Sequence, residues 1–237
     1  MNQGDSEAMR GYILLEGGAE FGGRMAEPDM RAIELAGGLD AKVSIIPAAA
    51  APDNNQERAG QTGIRWFNRL GTRHATLLPL IDQASAKQSD IAAALVNSRF
   101  IYLLGGFPYY LAQTLAGSIS WQAILEAYHA GAVIGGSSAG AMVLCRHGYD
   151  PVTESIFEGL NLIPKACIIP HHDTFGKAWA SHLLTSLPED VIIGIDEETG
   201  MIDDGPDGEW NIYGKGLITL YKGGEARTYH PGEAFLL

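Results

Sequence analysis

The chain is punctuated by short apolar runs that stop at residues with almost no side chain. GYILLEGG, KVSIIPAAA and FIYLLGG each end in glycine or alanine, and ATLLPL is a fourth run of the same kind. Segments of helical period separate them: PDMRAIELAGG, a polar stretch around Gln56 to Leu70, and SDIAAALVNS. This alternation is the sequence form of βαβ units, so the reading is an α/β fold whose mostly parallel sheet carries helices on both faces. The pattern continues through helical stretches at 109–115 and 121–130, the strand AVI, a helix beginning near Ser138, the strand CIIP, a helix over 177–186 and the strand VIIGID. From Gly200 the spacing tightens to GMIDD, EWNIYG and GLITLY, and WNIYGKGLITLY reads as a β-hairpin turning at Gly214 to Gly216. The expected organisation is one domain over 1–237, with a βαβ core at 10–200 and an antiparallel β extension at 200–237.

Composition narrows the partners. A net charge of −12 argues against nucleic acid or an anionic membrane, both of which require clustered Lys and Arg. No apolar run approaches the length of a membrane span, and the acidic, polar start MNQGDSEAMRG lacks the apolar stretch of a secretory leader. Cys145 and Cys167 sit in separate apolar runs, which suggests core thiols in a reducing compartment and neither a disulfide framework nor a metal site. A cytoplasmic protein without a cofactor is therefore expected.

The chemistry concentrates in VIGGSSAGAMVLC, residues 133–145. Gly136-Ser137-Ser138-Ala139-Gly140 matches G-x-S-x-G between a strand and a helix. A nucleophile on such a turn needs small neighbours two residues either side, because the tight turn brings backbone against backbone. The same turn aims the Ala139 N–H, at a helix N-terminus, at a developing oxyanion. A glycine-rich turn that only packs tightly or holds a phosphate has the same composition, and Ser137 is the rival hydroxyl. Gly105-Gly106, ending FIYLLGG, borders the same crevice in a parallel sheet and offers a second N–H, from Gly106.

Taken together, YLLGGFPYYLAQTLAGS, YHAGAVIGGSSAGAMV, EGLNLIP, IIPHHD and IGIDEETGMI resemble the serine exopeptidase family that includes cyanophycinase and aspartyl dipeptidase, on the class I glutamine amidotransferase-like fold. The resemblance spans roughly Gly11 to Ile202. It implies a Ser-His-Glu triad, with Ser138 in the G-x-S-A-G-A turn, His171 after the G-L-x-x-[LF]-P segment, and Glu197 in the D-E-x-T turn. Near alternatives are His172, Asp150, Glu154 and Glu198; the other histidines have no comparable context.

The chain also departs from the family. Phe107-Pro108 replaces an Asp-Gln type pair, and Phe175 and Lys177 stand where cyanophycinase carries arginines, which argues against cyanophycin as substrate. The segment after His171 is also shorter than the arginine-bearing one of aspartyl dipeptidase. Phe107, Pro108, Gly105 and His172 are the expected pocket residues, with Tyr109, Tyr110, Phe175 and Trp179 as further aromatic candidates. The implied activity is hydrolysis of a small peptide or amide through an acyl-enzyme. An esterase with the same triad, or a non-catalytic binding protein on the same scaffold, remains the alternative. Self-association as a homodimer is the expectation for this architecture, with no stripe that locates the interface.

Overall fold

The apolar runs become the centre of a twisted sheet. A computed structural model describes residues 10–237; the first nine residues, and with them most of the run read above for a leader, lie outside the described part. The elements follow as β1 (Ile13–Glu16), α1 (Ala26–Leu35), β2 (Lys42–Ile46), α2 (Gln56–Arg69), β3 (His74–Leu77), α3 (Ser89–Val96) and β4 (Phe100–Leu103). Next come α4 (Pro108–Leu115), α5 (Ile119–His129), β5 (Val133–Ser137), α6 (Ala139–Met142), β6 (Cys145–Asp150), β7 (Ser155–Glu158) and β8 (Ile163–Ile169). The chain closes with α7 (Ala180–Ser186), β9 (Val191–Ile195), β10 (Thr199–Ile202), β11 (Trp210–Gly214), β12 (Ile218–Lys222), β13 (Glu225–Tyr229) and β14 (Ala234–Phe235).

The first sheet runs β14-β11-β10-β1-β5-β4-β2-β3, and its five strands from β1 to β3 are parallel. Both faces are buried, which is why these strands read as continuous apolar runs. Leu14, Ile45, Phe100 and Tyr102 pack toward α1 and α2. Alternate residues Ile13, Leu15, Ile46, Ile101 and Leu103 join a larger core shared with α3, α4, α5 and the inner strands of a second sheet.

That second sheet, β13-β12-β9-β8-β6-β7, corrects two expectations. The helix at Ser138 is a single turn, and the chain then enters β6 and β7, which were not anticipated. WNIYGKGLITLY is not a hairpin either: β11 pairs with β10 and β14, whereas β12 pairs with β9 and β13. The chain crosses between sheets at 215–217 because that segment is bound elsewhere, Gly216 N–H to Thr199 Oγ1 and Leu217 N–H to Asp196 Oδ2. The local hairpin is β12–β13, turning at Gly223-Gly224 with φ of 58° and 83°, as a two-residue turn requires. So the 200–237 segment extends both sheets. Among the described residues no helix is long and apolar enough to cross a membrane.

The elbow between β5 and α6 tolerates little. A Cβ on Gly140 would lie 2.1 Å from the Leu103 carbonyl oxygen, and one on Gly136 would lie 2.4 Å from the Gly140 carbonyl. Gly140→Ala should therefore cost on the order of 3 kcal/mol in urea unfolding. Gly22→Ala, where a Cβ meets nothing within 4 Å, should stay within about 0.5 kcal/mol; equal effects would contradict the packing described here.

Candidate active site

Strand β5 ends at Ser137 and the chain reverses into α6 through Ser138, which has φ 49° and ψ −113°. That backbone is costly for a residue with a Cβ and persists only where neighbours fix it. Here the Ser138 N–H donates to the Glu16 carbonyl on β1 (3.0 Å), and the Met142 N–H donates to the Ser138 carbonyl (3.0 Å). The two serines part company: Ser137 is fully buried and its hydroxyl donates to Glu20 Oε2 (3.1 Å), whereas Ser138 is partly exposed.

From the second sheet, β8 ends beside the elbow and delivers His171, itself at φ 49°. Its Nε2 lies 3.0 Å from Ser138 Oγ and its Nδ1 lies 2.8 Å from Glu197 Oε1. Glu197 follows β9, and its N–H donates to Asp173 Oδ1 (2.9 Å). The residues at the end of β1 tie these loops together: the His171 N–H donates to Gly17 O (2.7 Å) and the Glu198 N–H to Gly18 O (3.3 Å). Gly18 is required, with φ 125° and a would-be Cβ 2.2 Å from His171 Cε1. Phe175 stacks on the imidazole with ring centroids 4.7 Å apart.

The near alternatives do other work. Glu198 accepts from the Arg24 N–H and pairs with Lys215, and those partners hold its carboxyl below the usual range. Asp150 caps its own turn through Val152 N–H and Thr153 Oγ1, and Glu154 is exposed. Burial raises both thiols, Cys167 to about 12 and Cys145 well above its ordinary value, so neither is a nucleophile near neutrality.

A cleft of about 330 Å³ opens over Ser138 and His171, walled by Glu20, Gly105, Pro108 and Phe175 among others. Gly106 and Ala139 flank the elbow, and neither N–H has an acceptor among the described residues. Two expected pocket residues do not line it. The Phe107 N–H is tied to the Ala49 carbonyl (2.8 Å), and Pro108 takes its place on the wall. His172 is buried over Gly194 and bonded to Asp196 Oδ1 and Tyr221 OH, because consecutive side chains at this strand end point to opposite sides. Trp179 reaches the cleft, while Tyr110 bonds the Ile81 carbonyl and Tyr109 packs on Phe157. Glu20 and the Gly17-Gly18 support were not recognised in the sequence, although the LEGGAE run after the first strand was their signal.

Beneath the elbow lies a buried acid pair. Glu16 accepts from the Tyr102 hydroxyl, and Asp29 Oδ2 accepts from Trp66 Nε1 (2.7 Å). Burial, with the Asp29 charge second, raises Glu16 well above its ordinary value, and burial raises Asp29 to about 7. Among the described residues neither Glu16 Oε1 nor Asp29 Oδ1 has a hydrogen-bond partner, and a proton shared between the two carboxyls would satisfy both.

The profile of the family described as Peptidase family S51 matches residues 13–206. Cyanophycinase from Geminocystis herdmanii is 28 % identical over 232 residues, covering 93 % of this chain and 84 % of the relative. Cyanophycinase from Synechococcus elongatus is 27 % identical over 222 residues, covering 89 % and 68 % respectively. The crystal structure of a peptidase from an acI-B1 Actinobacterium superposes with a TM-score of 0.86 at 30 % identity, covering 97 % of this chain and 98 % of that one. A Listeria monocytogenes protein at TM-score 0.60 and 18 % identity, covering 93 % and 98 %, supports the fold.

The unfolded chain loses the Asp29 proton near pH ~4, whereas the folded chain holds it to about 7, so this group makes stability fall as pH rises across that window. Asp29→Asn removes this dependence, and its amide can donate to Glu16 Oε1. Relative to wild type, the variant should gain about 3 kcal/mol, ~6–12 °C in Tm, between pH ~4 and ~7. Parallel Tm-against-pH curves would refute the shared proton.

Proposed function

The chain belongs to peptidase family S51, and from that premise we propose that it cleaves a small peptide or amide through an acyl-enzyme on Ser138. The observation that supports this most is the unbroken chain Ser138 Oγ, His171 Nε2, His171 Nδ1, Glu197 Oε1, with links of 3.0 and 2.8 Å. A neutral imidazole at that distance takes the hydroxyl proton as Oγ attacks the carbonyl carbon. The Glu197 carboxylate fixes the tautomer with the proton on Nδ1 and offsets the imidazolium charge. Phe175, stacked on the ring, limits its rotation and its contact with water.

Negative charge then develops on the carbonyl oxygen. The N–H groups of Gly106 and Ala139, with no acceptor of their own among the described residues, are suited to receive it, and α6 presents its N-terminus at the same place. Collapse expels the leaving amine, protonated by His171, and leaves the acyl group on Oγ. Water activated by the same imidazole releases the acid and restores the serine. Cyanophycin is not the proposed substrate. The cleft wall carries Pro108, Phe175 and Trp179 and no arginine or lysine, which suits a small substrate without an acidic side chain.

The test is hydrolysis of a dipeptide mixture followed by mass spectrometry. Ser138→Ala should lower turnover at least ~10³-fold and Glu197→Gln by roughly 10²–10⁴-fold, with melting curves close to wild type. Glu198→Gln, whose carboxylate serves Arg24 and Lys215, should stay within about threefold. Retained turnover in Ser138→Ala, or equal losses at the two glutamates, would reject the assignment.

A further inference from the structure

The cleft contains one carboxylate that the reaction above does not use. Glu20 lies on the loop after β1, and its Oε2 is occupied by the Ser137 hydroxyl. Among the described residues its Oε1 has no hydrogen-bond partner and its carboxylate forms no ion pair. It nevertheless sits beside the nucleophile. A Cβ placed on Gly105 would be 3.1 Å from Glu20 Oε1 and 3.4 Å from Ser138 Cβ, so a single methyl group would touch both.

The surroundings leave this charge without an ion-pair partner among the described residues. No Lys or Arg lines the cleft over Ser138, and Arg58, on the adjoining cavity that Glu20 also borders, forms no ion pair with it; the protein carries a net charge of −12, and the acid pair of Glu16 and Asp29 lies on the buried side of Glu20. A partly desolvated carboxylate in such a field gains most from a mobile cation that arrives with the substrate. Ser137 fixes the carboxylate in place, so the cation meets an acceptor already oriented.

We propose that Glu20 is a specificity-determining residue, its Oε1 receiving a protonated amine of the substrate's acyl portion while Ser138 attacks the neighbouring carbonyl. An α-ammonium stands two bonds from the carbonyl carbon, which suits the short span across Gly105. A side-chain ammonium folded back over the cleft offers the same chemistry. The inference rests on the serine-hydrolase reading and adds the substrate's charge to it. Gly105 belongs to the same device, since any side chain there would wedge between the acid and the nucleophile.

Boronic acids test this without knowledge of the natural substrate, because boron captures an activated serine as a tetrahedral adduct. Binding of four probes is measured by calorimetry: boroalanine with a free amine against N-acetyl-boroalanine, and N-acetyl-borolysine against N-acetyl-boronorleucine. In wild type the ammonium-bearing member of at least one pair should bind at least ~10-fold more tightly. The first pair reports an α-amine and the second a side-chain amine. Glu20→Gln, which keeps an oxygen to accept from Ser137, should erase the ratio within that pair, and Glu20→Asp should give an intermediate ratio. Equal affinities within both pairs in wild type would overturn the inference while leaving the hydrolase reading intact, as would a ratio unchanged in Glu20→Gln. Binding of none of the four, or binding undiminished in Ser138→Ala, would remove the hydrolase reading and this inference with it.

Discussion

The arrangement depends on one strained residue. Ser138, at φ 49° and ψ −113°, is where a parallel strand reverses into a helix within a single peptide unit. The strain is held by close contacts on both sides: Gly136 against Gly140, Gly140 against Leu103, and the Ser138 N–H against the Glu16 carbonyl. A larger residue at either glycine meets backbone, which cannot rotate away. The consequence is a hydroxyl that stands partly exposed at the strand ends, at the start of α6.

A second sheet brings the histidine and glutamate to that hydroxyl. His171 follows β8 and Glu197 follows β9, parallel neighbours that reach the crevice together. What joins the two sheets at this point is Gly17 and Gly18, whose carbonyls accept from the backbones of His171 and Glu198. The site therefore lies at the carboxyl ends of parallel strands from both sheets, where such folds place ligands. The carboxyl groups near it differ by surroundings. Glu16 and Asp29 are buried, which raises both above the ordinary carboxylate range, Glu197 faces an imidazole, and Glu20 faces the open cleft.

Much of this was legible in the sequence where the determinants are local. The glycine and alanine spacing around Ser138 is a direct record of the backbone contacts at the elbow, and the apolar runs record strands buried on both faces. His171 and Glu197 were legible only through the order of segments shared with a family, since a histidine at a strand end and a carboxylate in a turn have ordinary structural uses. The adjacent His172 was misplaced in the pocket because a residue's face depends on how the strand ends. The apparent hairpin at Gly214 to Gly216 carries the right turn residues, yet its partners lie at Thr199 and Asp196 and draw the flanking strands into different sheets. Glu20 escaped notice because nothing local in LEGGAE says that its carboxylate will stand beside a serine more than a hundred residues later.

In the proposed reaction the elbow and His171 make Ser138 an activated nucleophile. Intact-mass analysis after exposure to a small fluorophosphonate, with peptide mapping of the product, addresses it directly and needs no substrate. One adduct per chain is expected, mapped to Ser138 and formed far more slowly when His171 is replaced by alanine. A folded protein that takes up no label, or carries it on Ser137, would contradict it.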